Sequence, residues 1–406
     1  MKRRKFLTAA SLATTGILVP IGLNSWAAQG LSQSANPQRL VVVLLRGGVD
    51  GLNLVVPHQE TNYYSARPTI AIPYPQEKNG VLDLDSFFGL HPHLKDLMPL
   101  WQQKSLAFVH ASGLPIVERS HFQAQDYIEN GTPGFKNTPD GWMNRLLAQL
   151  PQEEATQALN VGVTTPYILK GKMNIASLRP GKNSTGAIPT DHPVISKAFD
   201  ELYGGTDDLS KAYQEGRKVR EKVLAALNQE MKSSSRQAKN VNAFVDDADE
   251  VAKLMVGSTK TQLAFMDIGG WDSHVNESAI LDRLLPSFGE GLATLVKGLE
   301  PIYADTVIVV LSEFGRTLKE NGTKGTDHGY GNVMMLLGGR VRGGKVYGEW
   351  KGLDDPELDQ DRDLAVTTDY REIIAHVLQN HLSVADNRLS QVFPNFKPSN
   401  KIDFLS

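Results

Sequence analysis

The amino-acid sequence predicts an α/β fold with a mostly parallel central sheet and helices packed on both of its faces. Five apolar runs are too short for helices and end at glycine turns or polar clusters, which is typical of buried strands. Because each run is continuously apolar rather than alternating, we expect both faces of the sheet to be covered. The predicted strands are 39-RLVVVLLR-46, 105-SLAFVHAS-112, 261-TQLAFMDI-268, 306-TVIVVLS-312 and 333-VMMLLGG-339.

Helical periodicity outside these runs is clearest in 277–299 and 367–382. The stretch 130–250 differs from the rest of the chain. It is rich in Pro, Gly, Asn and Thr at first and then predicts a long charged amphipathic helix over 208–232. We interpret 130–250 as an insertion or lid on a single domain that spans 39–406.

The N-terminus predicts an export signal over residues 1–27. It has a basic start, then an uncharged and moderately apolar stretch over 6–23. The pair Arg3-Arg4, followed by Lys-Phe-Leu, resembles the twin-arginine signal. We therefore expect passage through the twin-arginine translocase, a periplasmic or secreted location, and no stable membrane span after cleavage. An uncleaved anchor is the alternative, and 28–38 is predicted to be a flexible lead-in.

Composition excludes several classes of site. The chain has no cysteine, which excludes disulfides, zinc–thiolate sites and cysteine nucleophiles. A metal must therefore be held by His, Asp, Glu or a hydroxyl. The net charge of −3 argues against non-specific binding of nucleic acid.

Polar side chains follow four of the predicted strands. In open α/β sheets, ligands bind beyond the carboxyl ends of the strands, so these groups should meet at one edge of the sheet. In chain order they are Asp50, Ser120 and His121, Asp272 and His274, Glu313, and then Asp327 and His328.

Asp272 and His274 are the strongest local pair. They lie two residues apart in a glycine-led turn, and a carboxylate with an imidazole suits Zn, Mn or Fe better than Ca or Mg. Structural capping of the turn is the alternative. Asp327 and His328 are adjacent and cannot easily point the same way, so we expect one to bind a metal and the other to orient it.

Three further residues have both a structural and a functional interpretation. Glu313 closes an apolar strand and needs a partner, either a metal or Arg316. Ser120 begins a helical stretch, where its hydroxyl either caps the helix or acts as a nucleophile in a field that favours anions. His121 is placed to bind a metal, to act as an acid or base, or only to pack.

The order of these groups resembles the alkaline phosphatase/sulfatase superfamily. More closely, the chain resembles the domain of unknown function 1501 family, whose members are exported bacterial proteins placed in that superfamily. The likeness covers most of the chain beyond the export signal. The stretches that carry it are 46-RGGVDGL-52, 120-SHF-122, 270-GWDSH-274, 312-SEFGR-316 and 327-DHG-329.

The resemblance implies an alkaline-phosphatase-like fold and a role for each matching residue. Asp50 would bind the metal beside the nucleophile, Ser120 would be the attacking hydroxyl, and Glu313 would be an acidic ligand. Asp272 and His274 would hold a second metal, joined by His328. Two metals can stabilise the attacking and the leaving oxygen of an in-line displacement.

The chain also departs from the superfamily pattern. Phe314 follows Glu313 where a histidine is usual, so one imidazole ligand is missing unless His121 or another histidine, such as His91 or His93, replaces it. We therefore expect the site to hold one divalent metal ion, two unequally bound ions, or none. Arg46, Arg119 and Arg316 would clamp an oxyanion or pair with nearby acids.

Two main hypotheses for the function follow, beside a third possibility, a metal-bound mutase or phosphotransferase that would phosphorylate Ser120 without net hydrolysis. The first is an exported, metal-dependent hydrolase that cleaves phosphate or sulfate esters of a small molecule or a polymer with Ser120 as nucleophile. The alternative is a non-catalytic binding or envelope-structural protein that retains the fold, and the departure at Phe314 favours it.

Overall fold

The computed structural model describes residues 37–151, 157–162, 164–178, 193–218, 243–257, 261–399 and 402–406. The predicted export signal and most of the lead-in, residues 1–36, lie outside the described residues. The central sheet contains β1 (Arg39–Arg46), β5 (Leu106–Gly113), β6 (Ala158–Val161), β7 (Ala176–Leu178), β8 (Leu263–Gly269), β9 (Thr306–Ser312), β10 (Asn332–Gly338), β11 (Val346–Tyr347) and β12 (Thr368–Asp369). A smaller sheet is formed by β2 (Val55–Val56), β3 (Leu82–Asp83) and β4 (Gly89–Leu90).

The central sheet is mixed but mostly parallel. Its strands pair in the order β11-β5-β10-β9-β1-β8-β6-β7, and β12 also pairs with β5. Only β10 is antiparallel to its neighbours, β5 and β9. The prediction of a mostly parallel α/β sheet is therefore confirmed.

Helices cover both faces of this sheet. The helices in the described part of the chain include α1 (Gly51–Leu54), α2 (Thr61–Ala66), α3 (Met98–Gln102), α4 (His121–Asn130), α5 (Trp142–Leu147), α6 (Pro193–Leu202), α7 (Ala243–Gly257), α8 (Glu277–Gly298), α9 (Tyr370–Asn380) and α10 (Asp386–Val392). Short 3₁₀ turns occur at Pro92–Leu97, Tyr167–Leu169, Glu300–Asp305 and Asp355–Glu357. Within the described part of the chain, no helix is long and apolar enough to cross a membrane.

The side chains of β1 show why the strands are apolar throughout. Val41, Val43 and Leu45 pack in a core with α7 and α8. Leu40, Val42 and Leu44 point to the opposite face and pack with α4, α5, α9 and α10. Alternate residues of a strand face opposite sides, so a sheet covered twice needs apolar residues at every position.

Two predicted helices differ from the observed ones. The helix expected over 367–382 begins only at Tyr370, because Thr368–Asp369 form β12 and the Asp369 side chain accepts from the backbone N–H of Arg371. Of the helix expected over 208–232, residues 208–218 are helical and the remainder lies outside the described residues.

Part of the segment 130–250 belongs to the central sheet. The buried stretch Ala158–Val161 forms β6, which pairs parallel to β8, and Ala176–Leu178 extends the sheet beyond it. Helix α5 packs in the core on one face. A lid can therefore include at most the remainder of 130–250.

Candidate metal centre

The predicted site residues lie at the edge of the sheet where β1, β5, β8 and β9 end. These four strands run in the same direction, so the turns that follow them meet at this edge. The segment 326–331 reaches the same edge from outside, and an antiparallel bridge between Arg316 and His328 holds it there.

Three imidazoles converge on one oxygen of Asp272. The distances from its Oδ1 atom to the Nε2 atoms are 3.0 Å for His274, 3.3 Å for His328 and 3.4 Å for His121. The Nε2 atoms of His274 and His328 are themselves 2.9 Å apart. The structure thus brings together residues that are more than 200 positions apart in the chain.

Each imidazole is held from behind through its Nδ1 atom. Because a carboxylate or a carbonyl oxygen can only accept, Nδ1 must carry the proton, and in the neutral ring Nε2 is left with a free lone pair. The acceptors are the Glu313 carboxylate for His121 at 2.8 Å, the Asp327 carboxylate for His274 at 3.0 Å and the Arg119 carbonyl for His328 at 2.7 Å.

This donor set fits a divalent metal. The ligand atoms of His121, Asp272 and His328 all lie within 4.8 Å of one another, and His274 contacts two of these three residues, Asp272 and His328. A tetrahedral zinc with bonds of about 2.0–2.1 Å needs ligand atoms roughly 3.3 Å apart, so small side-chain shifts would bring His121, Asp272 and His328 to one ion. Two features of the described residues are costly without a cation. The lone pairs of His274 and His328 face each other, and the buried Nε2 of His121 finds no hydrogen bond of good geometry.

Electrostatic interactions keep Glu313, the acid that contacts His121 Nδ1, ionised. A hydrogen bond to the Glu313 carboxylate raises the pKa of His121. Burial alone would raise the pKa of Glu313, but hydrogen bonds from His121 and Gln125 outweigh it and lower that pKa. The Glu313 Oε1 atom also accepts from the backbone N–H of Gly47, at 2.8 Å, and so connects the β1 turn to His121.

The pKa values of Asp272 and His328 are both lowered, which favours the charged carboxylate and the neutral imidazole that bind a metal. Burial opposes ionisation of Asp272, but a hydrogen bond from Arg316 at 2.9 Å lowers its pKa. Burial lowers the pKa of His328 and favours the neutral ring. The hydrogen bond from His274 lowers the pKa of Asp327. The carboxylates are therefore charged and His328 is neutral near pH 7.

Phe314, the departure from the superfamily pattern, forms one wall of the centre. Its ring is centred 4.8 Å from His121 and 5.0 Å from His328. Gly48 lies directly against this ring, and a Cβ atom there would lie 2.4 Å from it. The apolar ring limits how far the two imidazoles can turn, so it helps to fix their orientation.

The Asp50 carboxylate pairs with the Arg67 guanidinium and does not join the metal centre at Asp272. Both oxygens of this buried carboxylate accept from Arg67, at 2.5 and 3.1 Å. Glu277 lies within hydrogen-bonding reach of Asp50, and burial together with the Asp50 charge raises the pKa of Glu277 to about 8. Of the two predicted metal positions, the geometry of the described residues therefore supports the one at Asp272.

Sequence reasoning missed Arg67, Glu277 and Gln125. Arg67 has no recognisable motif around it, and only the tertiary fold brings it to Asp50. Glu277 did carry a signal, because an acid in the first turn of a helix is common but is rarely fully buried.

Ser120 lies at the N-cap position of α4, directly before His121. Its side chain makes no capping hydrogen bond, and the residue is exposed. The backbone N–H of Ser120 donates to Glu118 at 2.9 Å. The hydroxyl is therefore accessible beside the metal centre.

The three arginines predicted to clamp an oxyanion all pair with acids, which is the alternative raised above. Arg316 meets Asp272 rather than Glu313, and its buried guanidinium also donates to Thr326. The remaining pairs are Arg46 with Asp267 and Glu129, and Arg119 with Asp363.

Residues 37–393 match the family described as "Protein of unknown function (DUF1501)". The chain belongs to this family. No curated protein shows significant sequence similarity to the chain.

Solved structures of the alkaline phosphatase/sulfatase superfamily are similar at a coarser level. A zinc complex of the C-terminal periplasmic domain of EcEptC from Escherichia coli has a TM-score of 0.38 at 12% identity, covering 92% of this chain and 93% of its own. A mutant alkaline phosphatase from the Antarctic bacterium TAB5, with Mg bound, has a TM-score of 0.37 at 9% identity and coverages of 86% and 99%. A protein in the alkaline phosphatase superfamily from Vibrio parahaemolyticus has a TM-score of 0.35 at 12% identity and coverages of 77% and 62%.

Proposed function

We propose that this protein is a metal-dependent hydrolase of phosphate or sulfate esters with a single divalent metal at Asp272. The observation that carries the proposal is the convergence of three imidazole Nε2 atoms on one carboxylate oxygen, each ring held through Nδ1. Nitrogen and oxygen donors in this ratio suit Zn, Mn or Fe. The basic and apolar N-terminus supports export by the twin-arginine route to the periplasm or beyond.

Asp272, His121, His274 and His328 would hold the metal. When bound, it would supply Lewis acidity toward an oxygen of the ester. The residues behind the ligands would fix the imidazoles, and Arg316 would keep Asp272 ionised.

Ser120 is the nucleophile in this proposal. Its exposed hydroxyl lies one residue before His121 at the start of a ten-residue helix, where the helix dipole favours an anionic substrate. Its oxygen would form a bond to phosphorus or sulfur as the bond to the alcohol breaks. The hydroxyl would lose its proton to solvent and the alcohol would take one from solvent. Water would then release phosphate or sulfate and restore Ser120.

A test begins with elemental analysis of the purified full chain. We expect about one divalent metal per chain, since the geometry supports one set of ligands. Asp272→Ala should lose the metal, whereas Asp282→Ala, a matched change at an exposed acid paired with His93, should retain it. The loaded protein should hydrolyse a panel of nitrophenyl esters, and Ser120→Ala should abolish turnover while retaining the metal. A protein without metal after loading would refute the proposal.

A non-catalytic metal-binding protein of the envelope is the second candidate. The pairing of Arg46, Arg119 and Arg316 with acids favours it, because these guanidinium groups are not free to hold an oxyanion. Metal binding without hydrolysis of any ester would support this candidate.

A further inference from the structure

The metal centre is flanked by apolar side chains that face solvent. Phe122 follows His121 in the first turn of α4 and is 88% exposed, and Val275 follows His274 and is 59% exposed. Consecutive Cα atoms are about 3.8 Å apart, so Phe122 and Val275 leave the backbone directly beside His121 and His274, two proposed metal ligands. An exposed phenylalanine beside a reactive centre is a ready contact for an apolar group of a substrate.

The charge of the centre is the second, independent observation. Asp272, Glu313 and Asp327 contribute three carboxylates, and Arg316 contributes the guanidinium that faces them. Arg46 contacts two acids, Glu129 and Asp267, and Arg119 shares Asp363 with Arg362, so both guanidinium groups are already paired. With a divalent metal bound, Asp272, Glu313, Asp327 and Arg316 together with that metal carry no net charge.

A neutral centre disfavours a strongly charged substrate. A phosphate monoester carries roughly −1.5 to −2 charges at pH 7. A phosphodiester and a sulfate ester each carry only one. The second negative charge of a monoester would meet three nearby carboxylates with no unpaired guanidinium among Arg46, Arg119 and Arg316 to offset it.

Resting on the function proposed above, we infer that the substrate is a singly charged ester, a phosphodiester or a sulfate ester, that places an apolar or aromatic group against Phe122. Phe122 is thus assigned as a specificity-determining residue. A phosphodiester and a sulfate ester carry the same single negative charge. Their relative rates of hydrolysis distinguish the two classes.

The first experiment compares three esters with the zinc- or manganese-loaded full chain. They are bis(p-nitrophenyl) phosphate, p-nitrophenyl sulfate and p-nitrophenyl phosphate. One of the first two should exceed the monoester in kcat/KM by about tenfold or more, because the like-charge repulsion is smaller. The faster of the two identifies the class of ester. A monoester preferred over both would overturn the inference and leave the hydrolase proposal standing.

The second experiment changes Phe122. Phe122→Ala should raise KM for bis(p-nitrophenyl) phosphate about fivefold, since an aromatic contact is lost, and should affect methyl p-nitrophenyl phosphate less. The control is Phe135→Ala, which removes another exposed phenylalanine beyond the far end of α4 and should leave both KM values unchanged. Equal changes in KM in the two variants would show that Phe122 does not contact the substrate.

A binding measurement separates this inference from the proposed activity. Ser120→Ala protein loaded with zinc is titrated with diphenyl phosphate and with phenyl phosphate by calorimetry. Diphenyl phosphate should bind more tightly, and adding Phe122→Ala should weaken it about fivefold. If this holds while no ester is hydrolysed, the hydrolase proposal fails and the assignment of the ligand class stands. If diphenyl phosphate does not bind, the inference is wrong.

Discussion

The acid behind His121 shows how a single residue prepares the metal centre. The Glu313 carboxylate accepts from His121 Nδ1, from Gln125 and from the backbone of Gly47, so its position is fixed before any ligand arrives. Groups that orient a metal-binding histidine in this way typically change metal affinity by 10–100-fold, or about 1.4–2.7 kcal/mol. Glu313 therefore acts through His121 in this structure.

Glu313→Gln tests that role. The hydrogen bond to Glu313 raises the pKa of His121 in the folded chain. Its contribution to the free energy of unfolding is therefore fully present below the unperturbed histidine pKa of about 6.5, and it is lost as the pH rises through the folded pKa. In metal-free Glu313→Gln we expect the pKa of His121 to fall, measured by NMR titration of the imidazole. Zinc affinity should fall about tenfold or more.

Glu357→Gln, at an exposed acid of the Asp355–Glu357 turn, is the control and should change neither quantity. An unchanged His121 pKa in Glu313→Gln would show that the hydrogen bond does not govern the imidazole.

At the scale of elements, the turn after β1 and the turn after β8 depend on each other. Gly47 has a φ of +122°, and a Cβ atom there would lie 2.8 Å from the backbone nitrogen of Asp272. The glycine therefore does more than allow a tight turn. It lets the β8 turn approach closely enough for Asp272 to reach the imidazoles.

Gly47→Ala should displace the Asp272 turn. We expect zinc affinity to fall about tenfold or more and the free energy of unfolding to fall by about 1–3 kcal/mol from backbone strain and steric overlap. Gly269→Ala is the matched control, because the space around its Cβ position is open and its φ is not in the left-handed region. Calorimetry of zinc binding and denaturant unfolding measure both effects. Equal zinc affinities in the two variants would contradict the dependence of one turn on the other.

At the scale of the whole molecule, a buried group of charges joins distant parts of the chain. Arg67 pairs with Asp50 after β1, donates to the Thr317 and Leu318 carbonyls and shares this cluster with Glu277 at the start of α8. Breaking a buried pair such as Asp50–Arg67 costs about 3–5 kcal/mol, because one charge is left uncompensated. The cluster therefore stabilises the fold behind the metal centre.

The stability of the molecule should depend on pH through Glu277. Its folded pKa of about 8 lies above the value of 4.5 of an unperturbed glutamate, so the folded state holds a proton that the unfolded state has lost between these values. The free energy of unfolding should therefore fall as pH rises across that window, by up to about 1.4 kcal/mol per unit for this proton. Glu277→Gln, which resembles the protonated acid, should remove this part of the slope.

Denaturant unfolding of the metal-free protein between pH 5 and 8 measures that slope. Glu290→Gln, at an exposed position of the same helix, is the control and should retain it. Identical slopes in both variants would show that Glu277 is ionised in the folded protein.

Much of the fold could be predicted because burial on both faces leaves a continuous apolar run in the sequence. The observed bounds of β1, β8, β9 and α8 agree with their predicted ranges to within two residues. The same signal does not encode direction or pairing, so the antiparallel orientation of β10 could not be predicted. The short strand β6 was missed because three apolar residues and one asparagine within a polar segment resemble a loop.

The amino-acid order by itself determined which groups reach one edge of the sheet, since a residue that follows a parallel strand must leave at its carboxyl end. Only the tertiary structure decided how those groups pair there. Side-chain direction and the arrival of Arg67 from another part of the chain assign Asp50 to a guanidinium and leave Asp272 to three imidazoles. Charge pairing depends on distances of a few ångströms, and residues far apart in sequence acquire such distances only on folding.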